Sequence, residues 1–465
     1  KDTFYRLAKF LKTWQVYMQK NITIVGAGLV GSLLACYLSK RGHKVNVYER
    51  RPDMRKAGYV GGRSINLALS YRGWKALKRI GLDEAVSKMV IPMHGRMIHD
   101  LQGNTQLTPY GKEGQSIFSV SRGDLNRLMV EEAEKFTDVK FHFDHRCVKI
   151  DFEKNHLTFQ KPDGELVEVT NTDLIFGADG AFSEVRYEMQ ITPNFNLHQQ
   201  YEPYAYKELH IPPGEGGKHL MEKNALHIWP RGNFMMIALP NLDGSFTVTL
   251  FAPMEGENSF GSLKTDADVT AFFKKHFPDS LPLMPELNKT FNENPTSSLV
   301  TIRCFPWVHK NAALIGDAAH AIVPFYGQGM ICGFEDVKEL DEILDATNED
   351  WPVALDKYQH QRKPNGDAIL DLALHNYIEM RDLSGRKDFQ LRTQIEKKIA
   401  ERFSPKFMTH YSMVVFSDLS YNEAKQRGEK QNELLDKIMS LPDIEKIWDT
   451  EPVMKVAEEW INANA

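Results

Sequence analysis

The sequence predicts an α/β protein in which a parallel sheet with covering helices is interrupted by an antiparallel sheet and followed by a helical region. Three observations support this class. Near the start of the chain, short apolar runs alternate with helical patterns, as in β-α-β units. Residues 191–300 carry strand patterns separated by turn residues. A buried-strand pattern then returns near residue 312, and helical patterns dominate afterwards.

The first β-α-β unit lies near the start of the chain. Residues 22–25 are mostly β-branched and suit a strand buried on both faces, residues 29–38 suit a buried helix, and residues 44–48 suit a second strand. The uncharged stretch over 21–39 also exceeds the roughly 18 residues of a membrane span. The glycines within it and the polar flanks favour strand, turn and helix, so we expect no membrane span.

Three glycines join the first strand to its helix. Gly26 allows a tight turn, Gly28 lets a pyrophosphate approach the backbone, and Gly31 lets the helix pack on the strand. Glu49, about 20 residues further on, is placed to accept the hydroxyls of an adenosine ribose. The pattern therefore predicts a Rossmann-like dinucleotide site.

Two arginines after the second strand raise an alternative for this site. Arg50 and Arg51 could hold the 2′-phosphate of NADP. The Glu49 carboxylate would repel that phosphate and suits a free ribose hydroxyl. We therefore expect this site to hold an adenosine with a free ribose, such as that of FAD, and not that of NADP.

The next elements follow from periodicity and turn chemistry. Helical patterns cover 72–80 and 121–136, strand patterns cover 139–143 and 174–177, and a hairpin pattern joins 157–159 to 166–169. A meander is predicted over 226–229, 234–239 and 245–251, with Phe246, Val248 and Leu250 on an apolar face and threonines on the other.

Composition limits the partners and the location of the protein. The 465 residues carry a net charge of -5, which gives no broad electrostatic attraction to nucleic acid or anionic membranes. The 16 histidines lack the spacing of a ligand set, so we expect no metal. Widely spaced cysteines fit reduced, buried thiols in a cytoplasmic protein; they are Cys36, Cys147, Cys304 and Cys332.

Three ordered motifs together resemble the single-component FAD-dependent aromatic hydroxylases of the p-hydroxybenzoate hydroxylase type. They are the first glycine motif, GADGAFSEVR (177–186) and LIGDAAHAIVPFYGQGM (314–330). The resemblance covers most of the chain after Met18. It implies a resident FAD, NADPH and dioxygen as co-substrates, and an aromatic small-molecule substrate.

The resemblance also assigns residues to the cofactor. Asp317 would hold the flavin ribityl chain, and Asp179 with Gly180 would lie near the cofactor and the pyridine nucleotide. The alternative role of both acids is that of a helix N-cap. Further cofactor residues implied by the resemblance are Val30, Arg50, Ala68, Arg122, Cys147, Gly329, Met330 and Ile331. Ile331 departs from the family pattern, which usually has Asn there, so a side-chain amide contact to the flavin is not expected.

A narrower resemblance, within this family, is carried by GRSINLALS (62–70), RMIH (96–99), PYG (109–111), LHIWP (226–230) and NYIEMR (376–381). It implies an aromatic amino acid with a ring amine as substrate. Arg96 and Tyr110 would bind its carboxylate, and Asn376 and Tyr411 would contact its amino-acid end. The alternatives are an ordinary ion-pair role for Arg96 and a core hydrogen bond for Asn376.

The pattern of apolar residues around Asn376 supports burial of its side-chain amide. Apolar residues recur around it at helical spacing, which places an amide on an apolar face; they are Ile369, Leu372, Ala373, Tyr377 and Met380. A buried amide needs hydrogen-bond partners, and a ligand could supply them.

The flavin pocket is expected to be walled by the segment after the GD motif. Its residues are Pro324, Phe325, Tyr326 and Gln328, for which core packing is the alternative role. No paired-carboxylate or Ser/His/Asp signature is present, and none is needed, because the flavin does the chemistry and the ring amine activates the substrate.

The sequence thus predicts an FAD-dependent aromatic monooxygenase, monomeric or homodimeric. The rival hypotheses are a hydroxylase of another aromatic acid and a non-catalytic flavin-binding interaction module. The predicted division is residues 1–17 as an added leader or a partner-binding extension, 18–84, 111–190 and 301–345 as the FAD-binding domain, 85–110 and 191–300 as the substrate domain, and 346–465 as a helical region.

Overall fold

The structure, a computed structural model, describes residues 19–57, 66–110, 114–379 and 386–464. The predicted extension over residues 1–17 lies outside these ranges. So do residues 62–65, Gly111, and Met380 with Arg381, which belong to segments that carry the narrower resemblance.

Strands and helices alternate through the first half of the described chain, and helices fill the last third. In chain order the strands are β1 (Asn21–Val25), β2 (Lys44–Tyr48), β3 (Asn66–Leu69), β4 (Val90–Met93), β5 (Gly95–His99), β6 (Thr105–Pro109), β7 (Ile117–Ser121), β8 (Val139–His142), β9 (Arg146–Asp151), β10 (His156–Gln160), β11 (Leu166–Val169), β12 (Leu174–Gly177), β13 (Asn196–Ile211), β14 (Ala225–Pro230), β15 (Met235–Pro240), β16 (Phe246–Pro253), β17 (Ser297–Phe305), β18 (Val308–His309) and β19 (Ala312–Leu314). The helices are α1 (Leu29–Lys40), α2 (Met54–Ala57), α3 (Tyr71–Arg79), α4 (Asp83–Ser87), α5 (Arg122–Glu134), α6 (Glu184–Gln190), α7 (Asp266–His276), α8 (Leu287–Glu293), α9 (Asp317–His320), α10 (Gly329–Ala346), α11 (Trp351–Ile378), α12 (Lys387–Phe403), α13 (His410–Phe416), α14 (Tyr421–Met439), α15 (Ile444–Ile447) and α16 (Glu451–Asn464).

A six-stranded sheet in the order β18-β19-β12-β1-β2-β8 positions the nucleotide motifs. Its pairs are parallel except at the β18 edge, and β1 lies between β2 and β12. Ile22 and Ile24 of β1 are fully buried, as expected for a strand with helices on both faces. The carboxyl ends of β1, β12 and β19 therefore lie side by side, and each leads into one of the three motifs.

A second large sheet has seven strands in the order β17-β13-β16-β15-β14-β5-β6. The predicted meander is present as β14, β15 and β16. The face with Phe246, Val248 and Leu250 packs with apolar residues of α7 and α8. The face with Thr247 and Thr249 is also buried, which the alternation did not indicate, because that face turns inward toward the rest of the molecule.

Two smaller sheets complete the strand layers. β9, β10 and β11 include the predicted hairpin, whose strands pair in antiparallel register. β3, β7 and β4 form the other sheet. The α/β class with an antiparallel sheet between two parts of the parallel sheet is confirmed.

The C-terminal region is helical, as predicted. The 28-residue helix α11 packs against α10 and α14, while α12, α14 and α16 share a separate apolar core. Within the described ranges, the helices include none with enough length and apolar character to cross a bilayer. The domain limits themselves stay a prediction.

Candidate active site

The glycine turn after β1 is shaped as a cradle. A Cβ on Gly26, whose φ is +105°, would lie 2.5 Å from the carbonyl oxygen of Ala178, and a Cβ on Gly31 would lie 2.0 Å from the carbonyl oxygen of Gly26. Gly28 faces open space, and no described side chain caps the first turn of α1. Uncapped amides at a helix N-terminus attract an anion, so the turn fits a pyrophosphate.

Glu49 lies beside this turn at the end of β2. Its Oε2 accepts a hydrogen bond from the Ala27 amide at 2.9 Å, and its Oε1 accepts one from the Arg51 amide at 3.0 Å. The carboxylate is thus held at the rim of the cradle, where a ribose is expected. Arg50, the next residue, is exposed.

The DG motif follows β12. Asp179 Oδ2 accepts hydrogen bonds from the amides of Glu184 and Val185 at 2.7 and 3.2 Å, so the alternative role of a helix cap for α6 is present. Its Oδ1 is buried and has no hydrogen-bond partner among the described residues. Burial raises the pKa of the Asp179 carboxyl, and the hydrogen bonds from Ser183 and α6 oppose this rise. Capping with one oxygen leaves the other available for a ligand.

The GD turn after β19 packs against the first motif. Gly316 has a φ of +64°, and a Cβ there would lie 3.1 Å from a methyl group of Val30; a Cβ on Gly333 would lie 2.5 Å from the same side chain. Asp317 begins α9 and is exposed. We call the open space bordered by the glycine turn after β1, Asp179 and Asp317 the groove. The groove walls partly desolvate the Asp317 carboxyl and raise its pKa, and the charges of His320 and Arg122 oppose this rise.

A buried polar cluster supports the GD turn from behind. Asp336 Oδ2 accepts hydrogen bonds from the Gly316 amide at 3.0 Å and from His320 Nε2 at 2.5 Å, and Oδ1 accepts one from Arg362 Nε at 2.7 Å. His320, Cys332 and Asp336 could supply three metal ligands. However, the Arg362 guanidinium lies 3.4 Å from Cys332 Sγ and would repel a cation. The cluster therefore serves as a brace for the turn, and the absence of a metal stays a prediction.

The segment after the GD motif forms an aromatic wall. Phe325 stacks on Tyr377 at a centroid distance of 3.8 Å and lies 5.0 Å from Phe251 of β16. Asn376, which is 5% exposed on α11, donates from Nδ2 to the carbonyl oxygen of Phe325 at 2.7 Å. The predicted burial of this amide is confirmed, and so is the alternative of a core hydrogen bond. Tyr326 is buried beside them, and Pro324 is exposed.

Arg96 lies in a second aromatic cluster. Its guanidinium carbon is 4.7 Å from the ring centroid of Tyr411 and 5.7 Å from that of Tyr110. The rings of Tyr110 and Tyr411 stack at 5.5 Å, and Tyr326 stacks on Tyr411 at 5.7 Å. No described carboxylate forms an ion pair with Arg96, and the buried Tyr110 hydroxyl has no described hydrogen-bond partner. A cation and a hydroxyl in these surroundings suit a carboxylate ligand.

Ile331 does not face the groove. It is fully buried, and an ideal Cβ on Gly73 of α3 would lie 2.7 Å from Ile331 Cδ1. The side chain therefore packs toward α3, which leaves only backbone near a flavin.

The structure brings the three motifs together around one groove and the substrate residues around another part of the same interior. The remaining predicted cofactor residues occupy Ala68 in β3, Arg122 at the start of α5, Cys147 in β9, and Gly329 with Met330 at the start of α10. Sequence reasoning missed Asp336, Arg362 and Tyr421, because their partners are distant in sequence and no local pattern identifies them.

Comparison with known proteins supports these observations. A family model described as an FAD binding domain matches residues 19–373. The kynurenine 3-monooxygenase of Flavobacterium johnsoniae is 48% identical over 434 residues, which cover 93% of this chain and 97% of that protein. Proteins of the same name from Christiangramia forsetii and Sus scrofa are 46% and 44% identical, over 94% and 89% of this chain and 97% and 88% of theirs.

Solved structures agree on the fold. The 2-methyl-3-hydroxypyridine-5-carboxylic acid oxygenase superposes with a TM-score of 0.65 at 21% identity, over 80% of this chain and 94% of that chain. PqsL of Pseudomonas aeruginosa, described as a probable FAD-dependent monooxygenase, gives 0.62 at 19% identity, over 78% and 97%. At these identities the similarity shows the fold alone, and it confirms the predicted hydroxylase-type architecture.

Proposed function

Because this chain belongs to the kynurenine 3-monooxygenase family, we propose that it hydroxylates L-kynurenine at ring carbon 3, with FAD as resident cofactor, NADPH as electron donor and dioxygen as oxygen source. The observation that carries the proposal is 48% identity to a protein of that name over 93% of this chain. No observation favours a different aromatic acid or a non-catalytic module.

FAD fits the residues of the groove. Gly26, Gly28 and Gly31 would hold its pyrophosphate on the first turn of α1, Glu49 its ribose and Asp317 its ribityl chain. The unpartnered Asp179 Oδ1 offers a further acceptor. FAD that has been reduced by NADPH activates dioxygen and supplies the oxygen atom that enters the aromatic ring.

Arg96 fixes the amino-acid end of the substrate. Its planar guanidinium can bind both oxygens of the kynurenine carboxylate, and the flanking rings of Tyr110 and Tyr411 strengthen this contact by keeping water away. The Tyr110 hydroxyl can donate to the same carboxylate. Asn376 borders this end of the site through its bond to Phe325.

The chain orients the substrate ring and excludes water from it. Phe325 and Tyr377 stack to form an apolar wall, and the inward face of the seven-stranded sheet closes the opposite side. The amine of kynurenine already activates the neighbouring ring carbon, so no side-chain base is required to make the ring reactive. Orientation and water exclusion are the contributions expected of the protein.

We also propose a cytoplasmic location and a monomer or homodimer. The four cysteines are free and buried, as is usual in a reducing compartment. The predicted division into an FAD-binding domain, a substrate domain and a helical region is part of the same proposal.

A turnover experiment tests the proposed function. The FAD-loaded protein is supplied with NADPH, dioxygen and L-kynurenine, and the products are analysed by mass spectrometry and NMR. We expect a product one oxygen atom heavier, with its hydroxyl next to the amine, and NADPH consumption that rises when kynurenine is added. Tryptophan serves as a control amino acid without the aryl ketone. Absence of a hydroxylated product would reject the proposal.

A further inference from the structure

Gln328 immediately precedes α10 and follows the aromatic wall residues Phe325 and Tyr326 in the chain. It is 2% exposed. Its side-chain Oε1 accepts a hydrogen bond from the Tyr421 hydroxyl at 2.9 Å. Its Nε2 donates no hydrogen bond to any residue that the structure describes. An amide donor without a protein partner in this interior is available to a ligand acceptor.

Tyr421 is held rigidly. Its side chain is fully buried, and the Arg72 guanidinium carbon lies 4.4 Å from its ring centroid. Arg72 in turn donates to the carbonyl oxygens of Val414 and Met413 at 2.7 and 3.2 Å and pairs with Glu335 at 2.9 Å. A cation held on three sides fixes the ring beneath it, so the hydroxyl has one position.

In the structure, the Oε1 end of the Gln328 amide faces the Tyr421 hydroxyl. An amide that accepts through Oε1 at one side presents its NH₂ group at the other. Tyr421 and the wall residues Phe325 and Tyr377 belong to one apolar cluster. The amide nitrogen is therefore the end of Gln328 that remains for a ligand in this interior.

We propose that Tyr421 is a positioning residue, which orients the Gln328 amide so that Nε2 donates a hydrogen bond to the aryl ketone oxygen of the substrate. This inference rests on the proposed function, because it takes kynurenine as the ligand. A site that is built to bind an oxygen discriminates against an analogue that lacks it. The ketone is conjugated with the ring that is hydroxylated, so fixing its oxygen also fixes the plane of the ring.

The test compares Tyr421→Phe with Tyr37→Phe. The first removes only the hydroxyl and keeps the ring under Arg72. The second removes a matched buried hydroxyl, which donates to the Ala76 carbonyl oxygen at 2.6 Å. We expect Tyr421→Phe to lower kcat/KM for kynurenine about tenfold, to raise the NADPH consumed per product formed, and to leave the FAD content unchanged. Tyr37→Phe should leave all three values unchanged.

A kynurenine analogue with CH₂ in place of the ketone separates positioning from a structural role. We expect the unmodified protein to use it poorly and Tyr421→Phe to use it no worse than the unmodified protein does. Gln328→Glu provides a second variant. Its carboxylate still accepts a hydrogen bond from Tyr421 but offers no donor, so this variant should also lose the preference for kynurenine over the analogue.

The outcomes are distinguishable. Equal losses on kynurenine and on the analogue in Tyr421→Phe would overturn the inference, as would an unchanged kcat/KM for kynurenine. Absence of product from kynurenine with the unmodified protein would reject the proposed function and the inference together.

Discussion

The Arg96 guanidinium carbon lies 4.7 Å from the ring centroid of Tyr411, so strand β5 and helix α13 contribute to one site although they are far apart in the chain. Tyr411 also stacks on Tyr326 of the aromatic wall. The proposed carboxylate-binding end is thereby connected to the segment that borders the flavin.

Replacing Arg96 with Lys should weaken substrate binding. Lysine keeps the charge but loses the planar fork and the stacking on Tyr411, so we expect KM for kynurenine to rise about tenfold or more with a smaller change in kcat. Steady-state kinetics measure this. Arg127→Lys, on the exposed face of α5, is the matched control and should behave as the unmodified protein. An unchanged KM in Arg96→Lys would contradict the assignment.

Replacing Glu49 with Gln should weaken FAD binding. The neutral amide still meets the glycine turn but accepts hydrogen bonds from ribose hydroxyls less strongly, so we expect the dissociation constant of FAD to rise about tenfold. Flavin fluorescence during titration of the apoprotein gives this constant. Glu131→Gln, an exposed change on α5, controls for the loss of a negative charge. If both variants bind FAD equally well, Glu49 has no role at the ribose.

His227 should make the protein less stable in mild acid. It is 2% exposed and bonds to His99 and to the Glu222 carbonyl oxygen, each at 2.8 Å. Burial lowers the pKa of His227 from 6.5 to about 4, so the folded chain resists a proton that the unfolded chain accepts. The stabilising contribution is therefore complete above pH 6.5 and is lost as the pH falls toward 4.

The loss from this group between pH 7 and pH 5 should be about 2 kcal/mol in the free energy of unfolding. Urea unfolding at several pH values measures it. His227→Gln should flatten the dependence, whereas His360→Gln, at a side chain that is 60% exposed, should not. An equal pH dependence of the unfolding free energy in the unmodified protein and both variants would contradict this prediction.

Replacing Ile331 with Asn, the residue usual in the family, should destabilise this chain. The side chain packs toward Gly73 in a buried apolar site, where an amide would find no partner, so we expect a loss of about 3 kcal/mol in unfolding free energy. Ile331→Val should cost about 1 kcal/mol. Thermal unfolding followed by flavin fluorescence compares them. A more stable Asn variant with tighter FAD binding would show that residue 331 turns toward the cofactor.

The native thiols should resist modification. All four cysteines are buried, and burial raises the pKa of Cys36 and of Cys304 to about 12. We expect almost no reaction with a thiol reagent at mildly alkaline pH in the native protein and reaction of all four after unfolding. Ser87→Cys, at an exposed site in α4, should react at once and verifies the assay. Rapid labelling of a native cysteine would indicate an opening of the core.

The parts of the fold that are encoded locally could be predicted from the sequence. The glycine turn, Glu49 and Asp317 stand in short segments whose strand, turn and helix follow from neighbouring residues. The helix around Asn376 and its burial followed from periodicity alone, and α11 confirms both.

The parts of the fold that depend on contacts between residues distant in sequence could not be predicted from the sequence. Strand β13 has 16 residues, yet residues 196–200 are polar except for Leu197 and are mostly exposed, so this stretch lacks the alternation that identifies a strand. Its partner β17 supplies the pairing. The contacts of Asp336 and Tyr421 connect helices α10 and α14 to Gly316 and Gln328, which directly precede α9 and α10. No spacing in the sequence predicts these contacts. Likewise, the burial of Thr247 depends on what lies opposite its sheet.

The order of strands in the parallel sheet has a consequence for biosynthesis. β12 pairs with β19, whose residues follow only after the whole antiparallel sheet has been translated. At about 10 residues per second, the apolar edge of β12 stays open for on the order of ten seconds on the ribosome. An unpaired edge of this kind is a template for wrong pairing. The nascent chain of this protein is therefore most vulnerable to aggregation between the synthesis of Gly177 and that of Leu314, and chaperone binding should be concentrated in that interval.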